Sequence, residues 1–439
     1  MKVDQKRGWN VKKMFVVAGS TMALVAGMVS TLPSAYADGK IASDDPNKWV
    51  SIGMGVRTSF VAQEHGSANG GSYSNNSGID NARIYVNGQI HQYLKFEFNT
   101  ECFNCPSSIN GVGGGSNSFG GNSTIGLLDA IGKFEFNQYV NLWVGRLLVP
   151  GERGELNGPF FHAVYDGFKT PFNSADFSGN FGRGGAGLYG RDNGAVYWGQ
   201  VDPGYGHLQY SVGVFTGLQS GANFGPNQQS SLLYAGRVTY NFLNPEKNPG
   251  YYTAGTYYGK AGDILALAVG VNHQQNGAGS FAARSDYTAF ITDLLFEKPL
   301  ANDMGVITVN AEYKQYFANY NKAVAFNGAG GTAAADCFCI FDGHSYTGYA
   351  LYLIPQEIGI GRFQPYARYT WVQPNQSSNR KETEAGVNYI IAGHNARISA
   401  IWQYGDLATK GSLGGASIWA PGVTGNMVNA FKVALQIQY

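Results

Sequence analysis

The sequence predicts an all-β protein, a closed antiparallel transmembrane β-barrel of about 16 strands with long external loops. Three observations carry the prediction. First, 13% of the 439 residues are charged, about half the usual share, while 14% are aromatic and 62 are glycine. Second, from residue 49 onward segment after segment alternates apolar and polar side chains, the period-2 pattern of a strand with two unlike faces. Third, the connections between these segments run short, then long, in alternation, the rhythm of a membrane barrel with tight turns at one end and loops at the other. No stretch beyond the first thirty residues has the roughly 18 consecutive apolar residues of a spanning helix.

The N-terminus reads as a secretory signal. Lys2, Lys6, Arg7, Lys12 and Lys13 form a basic head, "MFVVAGSTMALVAGMV" an apolar middle, and Ala35-Tyr36-Ala37 a small-residue cleavage site. The expected division is 1–37 cleaved signal peptide, 38–48 short periplasmic N-terminal segment and 49–439 barrel. Cleavage after Ala37 leaves 25 basic and 28 acidic side chains, a formal net charge of −3 rather than +1, which is no nucleic-acid footprint.

In "VSIGMGVRTSF" Val50, Ile52, Met54 and Val56 share one face. In "ARIYVNGQI" Ala82, Ile84, Val86 and Ile90 oppose Arg83, Tyr85, Asn87 and Gln89. The last segment, "NAFKVALQIQY", sets Phe431, Val433, Leu435, Ile437 and Tyr439 against Lys432, Gln436 and Gln438. The predicted strands are 49–64, 78–91, 93–100, 123–136, 139–149, 183–200, 206–217, 231–243, 262–274, 285–297, 304–318, 345–355, 362–374, 380–392, 395–406 and 426–439. One stretch, 244–261, breaks the rhythm and could extend a strand. The apolar faces are assigned to lipid and the polar faces to a wet lumen; the last strand closes the cylinder, because an open edge would leave backbone groups unsatisfied in hydrocarbon.

Alternation also assigns charges to the lumen. The basic set is Arg57, Arg83, Lys95, Lys133, Arg237, Lys314, Arg368, Arg397 and Lys432; the acidic set is Glu97, Asp129, Glu135, Asp293, Glu297, Glu312, Glu382 and Glu384. Nine against eight is a balanced wall, with no run of closely spaced cations to ladder an anion down a pore. Trp143, Trp198, Trp371 and Trp402 are assigned to the interfacial aromatic girdles. Tyr366 and Arg368 of "YARY" alternate into the lumen, as ordinary wall contacts or as solute contacts.

The four cysteines, Cys102, Cys105, Cys337 and Cys339, fall in predicted external loops of an oxidising compartment, so all four are disulfide candidates. Cross-pairing would staple two loops, and local pairing would stiffen each tip. Cys-x-Cys spacing without a histidine pair argues against a metal, and Pro106 stands where a haem attachment motif would carry His. "GVGGGSNSFGGNS" lacks the Gly-Lys-Ser/Thr ending of a phosphate-cradling loop. Seven scattered histidines and no nucleophile motif disfavour an enzyme. No cofactor is implied.

"NARIYVNGQIHQYLKFEFN", "LLDAIGKFEFNQYVNLWVGRLLVP", "HLQYSVGVFTG", "FQPYARYTWV" and "EAGVNYIIAGHNARISAIWQY" resemble, in order, strands of the phosphate-selective porin O and P family, of the outer-membrane porin superfamily. The likeness runs from about residue 78 on. It implies a sixteen-stranded barrel, a homotrimer, and a long loop folded into the lumen as a constriction. It also implies that the outer-membrane assembly machinery reads the terminal aromatic strand. The best candidate for the constriction loop is about 151–182, with Glu152, Arg153, Glu155, Asp166, Lys169 and Asp176 in it and Arg183 following. The expected function is passive diffusion of small hydrophilic solutes or ions across the outer membrane of a Gram-negative bacterium, among its lipid and lipopolysaccharide. Selectivity is expected to be weak, with anion or phosphate preference resting on the family name alone. The rival expectations are a surface binding or adhesion protein, or a barrel partner of an extracellular redox assembly.

Overall fold

The computed structural model describes residues 40–42, 45, 47–103, 124–167, 169–171, 190–327, 332–333, 336–407 and 425–439. The signal peptide expected at 1–37 lies outside them. In chain order the strands are β1 Lys40–Ala42, β2 Trp49–Gln63, β3 Ser74–His91, β4 Leu94–Phe103, β5 Thr124–Glu135 and β6 Asn141–Leu148. Then come β7 Arg191–Val201, β8 His207–Phe215, β9 Leu233–Asn241, β10 Ile264–Gly279, β11 Arg284–Pro299 and β12 Val306–Phe317. A small ribbon, β13 Phe326–Asn327 with β14 Thr332–Ala333, precedes β15 Gly343–Leu353, β16 Arg362–Pro374, β17 Arg380–Ile390, β18 Ala396–Gly405 and β19 Val428–Gln438.

Sixteen strands, β2 to β12 and β15 to β19, pair antiparallel with their sequence neighbours and close when β19 meets β2, Gln63 opposite Ala430 and Gly55 opposite Gln438. The closing ladder runs on to Tyr439, whose N–H donates to Met54 O at 2.8 Å while Met54 N–H donates back at 3.1 Å. Closure removes the sheet edge, as lipid demands.

The alternation is what positions the interior. Along β19 Lys432, Ala434 and Gln436 are buried, whereas Phe431, Val433, Leu435 and Ile437 are more exposed, 44% in the case of Ile437. Outward aromatics gather at both ends of the wall. Tyr93, Phe136, Tyr139, Tyr352 and Tyr439 stand at the short-turn end, and Phe290, Tyr346, Tyr369, Trp371 and Trp402 towards the long-loop end.

Every one of the sixteen predicted segments is a strand, and the differences are at the ends. β3 begins at Ser74 rather than 78, β4 runs on to Phe103, and β10 to Gly279, so the loop expected at 275–284 shrinks to 280–283. Bulges between Arg57 and Thr58 and between Asn99 and Thr100 shift the pairing register near the long-loop ends of β2 and β4. In the segment expected at 38–48, β1 folds back onto β2, with Ala42 opposite Trp49. The ambiguous stretch 244–261 forms no strand, and its course is described below.

Val433 sits midway along β19 on the outward face, opposite Phe60 of β2. Val433→Arg is expected to lower barrel stability by roughly 2–4 kcal/mol in denaturant titrations in lipid, as for a cation near the midplane. Val433→Leu is expected to leave it nearly unchanged.

Candidate functional site

The polar face of the wall is laced with ion pairs. Arg83 Nε lies 2.6 Å from Glu101, Lys95 Nζ 2.6 Å from Glu135, and Arg191 Nε 3.0 Å from Asp129. Lys133 pairs with Glu97, and its ammonium sits 3.9 Å from the Trp143 ring. Arg237 holds Asp293 through both nitrogens, at 2.5 and 3.0 Å, and Arg368 reaches Glu384 at 2.6 Å. Neighbouring strands carry the two halves of most pairs, so strand register brings them together. Glu384, for instance, faces Arg368 directly across β16 and β17.

The connection after β6 then turns inward. Gly145, at φ 136°, lets the strand pass close to β5, where an added Cβ would stand 2.0 Å from Ala130 O. A single helical turn, α1 (Arg153–Asn157), follows, with all five residues buried. From here to Pro171 the described residues are irregular, and six of their carbonyls are taken by wall side chains from the far side of the barrel. Gln436 donates to Phe160 O at 2.8 Å, Arg397 to His162 O at 2.7 Å, and Asn388 to Ala163 O at 3.0 Å. Arg57 donates to Tyr165 O, Arg368 to Asp166 O at 2.5 Å, and Lys314 to Pro171 O at 2.6 Å. The loop's own charges are bound as well. Asp166 accepts from Lys432 at 2.5 and 2.7 Å and from Gln403 at 2.7 Å, Lys169 reaches Glu382 at 2.9 Å, and Glu152 accepts from Lys314 at 2.7 Å. Tyr165 OH donates to Asp80 at 2.7 Å.

A second segment enters from the opposite end. After β9 the ladder continues through Asn244, whose N–H donates to Asp263 O at 3.1 Å, yet residues 245–262 leave that point and return to it. They pass beneath the inward loop. The Glu246 carboxylate binds the buried Arg153 guanidinium twice, at 2.6 and 2.7 Å, and Tyr257 OH supports it at 2.8 Å. Tyr251 and Tyr252 lie 5.3 and 5.1 Å from Trp143, centroid to centroid. Glu297 accepts from Thr256 Oγ1 at 2.6 Å and from the N–H groups of Tyr257 and Gly259 at 3.0 and 2.8 Å. In the turn after β17, burial and the nearby Arg397 push the His394 imidazole down to about 3, so it packs as a neutral ring against Tyr258 and Phe161.

The alternation places all seventeen lumen-assigned charges inward, with Lys95 and Glu135 the most exposed of them. Of the expected loop residues, Glu152, Arg153, Glu155, Asp166 and Lys169 are brought together, while Asp176 and Arg183 lie outside the described residues. Glu312 stands beside Glu152 rather than alone in the wall: a Cβ added to Gly154 would meet an oxygen of each at 3.2 Å. The sequence reading missed Glu101, Arg191 and Glu246. Glu101 was legible, since the inward parity of Glu97 and Asn99 continues to it once β4 is extended by three residues.

One expectation is corrected. Trp143 is fully buried and faces inward, and Trp198 packs edge-on against it at 5.6 Å, so neither belongs to a girdle. In "VNLWVG" Val140, Leu142 and Val144 make the apolar outward parity and Trp143 shares the other with the buried Asn141, so the girdle assignment went against the alternation. Tyr366 and Arg368 point inward but are taken up by Glu384 and the loop. Cys337 is bonded to Cys339 and Cys102 is also in a disulfide, while Cys105 lies outside the described residues.

Asp166 has two cationic partners, Lys432 and Lys169, and is the carboxylate that Lys432 pairs with. Asp166→Asn is expected to strand Lys432, while Lys169 keeps Glu382, costing about 3 kcal/mol or more in equilibrium unfolding. The double variant Asp166→Asn/Lys432→Met is expected to recover part of that loss.

No family model matches the chain, and no curated protein does. Solved structures match over nearly its whole length. OmpF of Salmonella typhi in complex with daunomycin aligns at 12% identity and TM-score 0.53, covering 91% of this chain and 100% of that one. OprB of Pseudomonas putida at high pH aligns at 8% identity and TM-score 0.53, covering 89% and 94%. The anion-selective porin from Comamonas acidovorans aligns at 13% identity and TM-score 0.50, covering 89% and 99%. The closed sixteen-stranded antiparallel barrel of this chain is the fold of outer-membrane porins.

Proposed function

We propose that the chain is an outer-membrane porin for passive diffusion of small hydrophilic solutes and ions, weakly selective and without covalent chemistry. The observation that carries the reading is a closed barrel whose polar, charge-paired interior holds an irregular loop across it by its carbonyls. Such a loop narrows the passage, and paired charges present dipoles rather than net charge to a passing ion. Glu152, Arg153, Glu155, Asp166 and Lys169 are the constriction residues in this reading. A homotrimer in a membrane of lipid and lipopolysaccharide belongs to the same proposal.

One observation favours a mild anion preference. Arg57, Gln436 and Arg397 lie in one row across β2, β19 and β18. Among the described residues the acceptors of both arginines are neutral: Asn81 and Tyr165 O for Arg57, and the 162–164 carbonyls with Gln436 for Arg397. These two charges are uncompensated where the loop crosses, unlike the paired cations of the wall. A phosphate preference, the finer suggestion of the sequence resemblance, would require more than this pair.

The test is single-channel recording of the folded mature chain in a planar bilayer, with a reversal potential under a KCl gradient. Steady conductance and a small anion-directed reversal potential are expected, and Arg57→Gln/Arg397→Gln should bring that potential towards zero. Block by low phosphate would move the reading to a phosphate channel. A folded barrel that passes no current would overturn the pore and leave the external loops as the functional surface.

A further inference from the structure

The connection between β9 and β10 is far longer than its geometry requires. Asn244 and Asp263 are already hydrogen-bonded, backbone N–H to O at 3.1 Å and side-chain Nδ2 to O at 2.9 Å, so a tight turn of a few residues would join the strands. The chain instead spends residues 245–262 on an excursion into the barrel from the short-turn end. Connections of this length without secondary structure are uncommon unless they have a task.

Its contacts say what the task is. Besides the two Glu246–Arg153 bonds, Arg153 donates to Ala254 O at 3.1 Å and accepts at its own carbonyl from Thr253 Oγ1 at 2.9 Å. Gly255 N–H donates to Phe161 O at 2.9 Å, and Tyr251 OH to Leu148 O at 2.5 Å. Wall groups pin the excursion in turn: Gln209 donates to Gly250 O at 2.8 Å and Asn310 to Gly255 O at 2.9 Å. The segment is thus fastened both to the barrel and to the start of the inward loop.

We propose that residues 245–262 form a second constriction element, inserted from the periplasmic end, and that Glu246 is a positioning residue that fixes the inward loop through Arg153. The aperture is then set from both ends of the barrel. Arg153 is fully buried, and its guanidinium is shared between Glu246 and Asp293 of the wall, at 3.4 Å from Nε. Without Glu246 the side chain keeps one carboxylate partner at longer range, and the loop's first turn loses its anchor from below. The inference rests on the pore reading.

The experiment compares the wild-type chain with three variants. One has residues 245–262 replaced by Asn-Gly, one is Glu246→Gln, and one is Glu246→Asp. Folding of each is checked first by heat-modifiable gel mobility, and then single-channel conductance and sugar cut-off in liposome swelling are measured. The shortened chain is expected to conduct about twofold or more above wild type and to admit larger sugars. Glu246→Gln is expected to raise current noise and substate visits, and Glu246→Asp to restore steady current, a rescue that loss of bulk structure would not give. A folded shortened barrel with wild-type conductance and cut-off would overturn the second constriction. A Glu246→Gln variant as quiet as wild type would overturn the positioning role. Silence from both folded chains would fail the pore reading itself, and the inference with it.

Discussion

The interior of this barrel depends on one constraint: irregular backbone at membrane depth must find hydrogen-bond partners inside the protein. Helices and closed sheets satisfy their own peptide groups, but the described residues from Gly158 to Pro171 lie in neither. Each buried carbonyl left without a donor would cost roughly 1–3 kcal/mol, so six of them would rival the whole stability of an ordinary domain. The wall supplies the donors. Arg57, Lys314, Arg368, Asn388, Arg397 and Gln436 come from six strands, and each reaches a loop carbonyl. The polar residues that alternation turns inward are therefore the folding partners of the loop before they are the lining of a path.

The acids follow the same logic. Buried cations need compensation, and Glu384, Asp166, Glu152 and Asp293 provide it within a few ångströms. Arg153 ties the two inward segments together because it needs more partners than α1 can offer: Asp293 takes its backbone N–H at 3.1 Å, and Glu246 its guanidinium. Trp143 has a comparable part on the apolar side. With Tyr251 and Tyr252 against it and the Lys133 ammonium over its face, it gives the second segment a floor. Gly250, at φ 58°, passes so near that ring that a Cβ would stand 2.3 Å from it.

Much of the fold was legible because the period-2 pattern reports a local fact, which face meets lipid. The sixteen strands and the inward set of charges follow from that alone. Legibility failed where the fact is not local. In "NLWVG" Asn141 marks the parity of Trp143 as inward, but what a tryptophan packs against there depends on what fills the barrel opposite it. In "NPEKNPGYYTAGTYYGKA" prolines and glycines announce a break, but nothing in the stretch says that it runs into the lumen; that depends on Arg153, some ninety residues away. Glu246 looks like a solvated loop acid until its partner is known. The loop candidates, by contrast, were chosen because length and mixed charge mark an unusual connection whatever it touches.

The balanced count of nine basic and eight acidic wall residues is for this reason a poor guide to selectivity. In the proposed pore, an ion would meet the charge left after the fold has used its share. Lys432 and Arg368 count as cations in the sequence but sit within 2.6 Å of carboxylate oxygens, so their fields fall off as dipoles. Arg57 and Arg397 direct their terminal nitrogens to neutral carbonyls and amides, which bind them without cancelling their charge. Hydrogen bonding and charge neutralisation are separate conditions, and the terminal nitrogens of these two arginines have the first without the second. Their shared row next to the loop, on strands adjacent to the closing β19, places the residual positive field where the loop crosses the barrel. The bias of such a pore comes from the partners its cations have, not from their number.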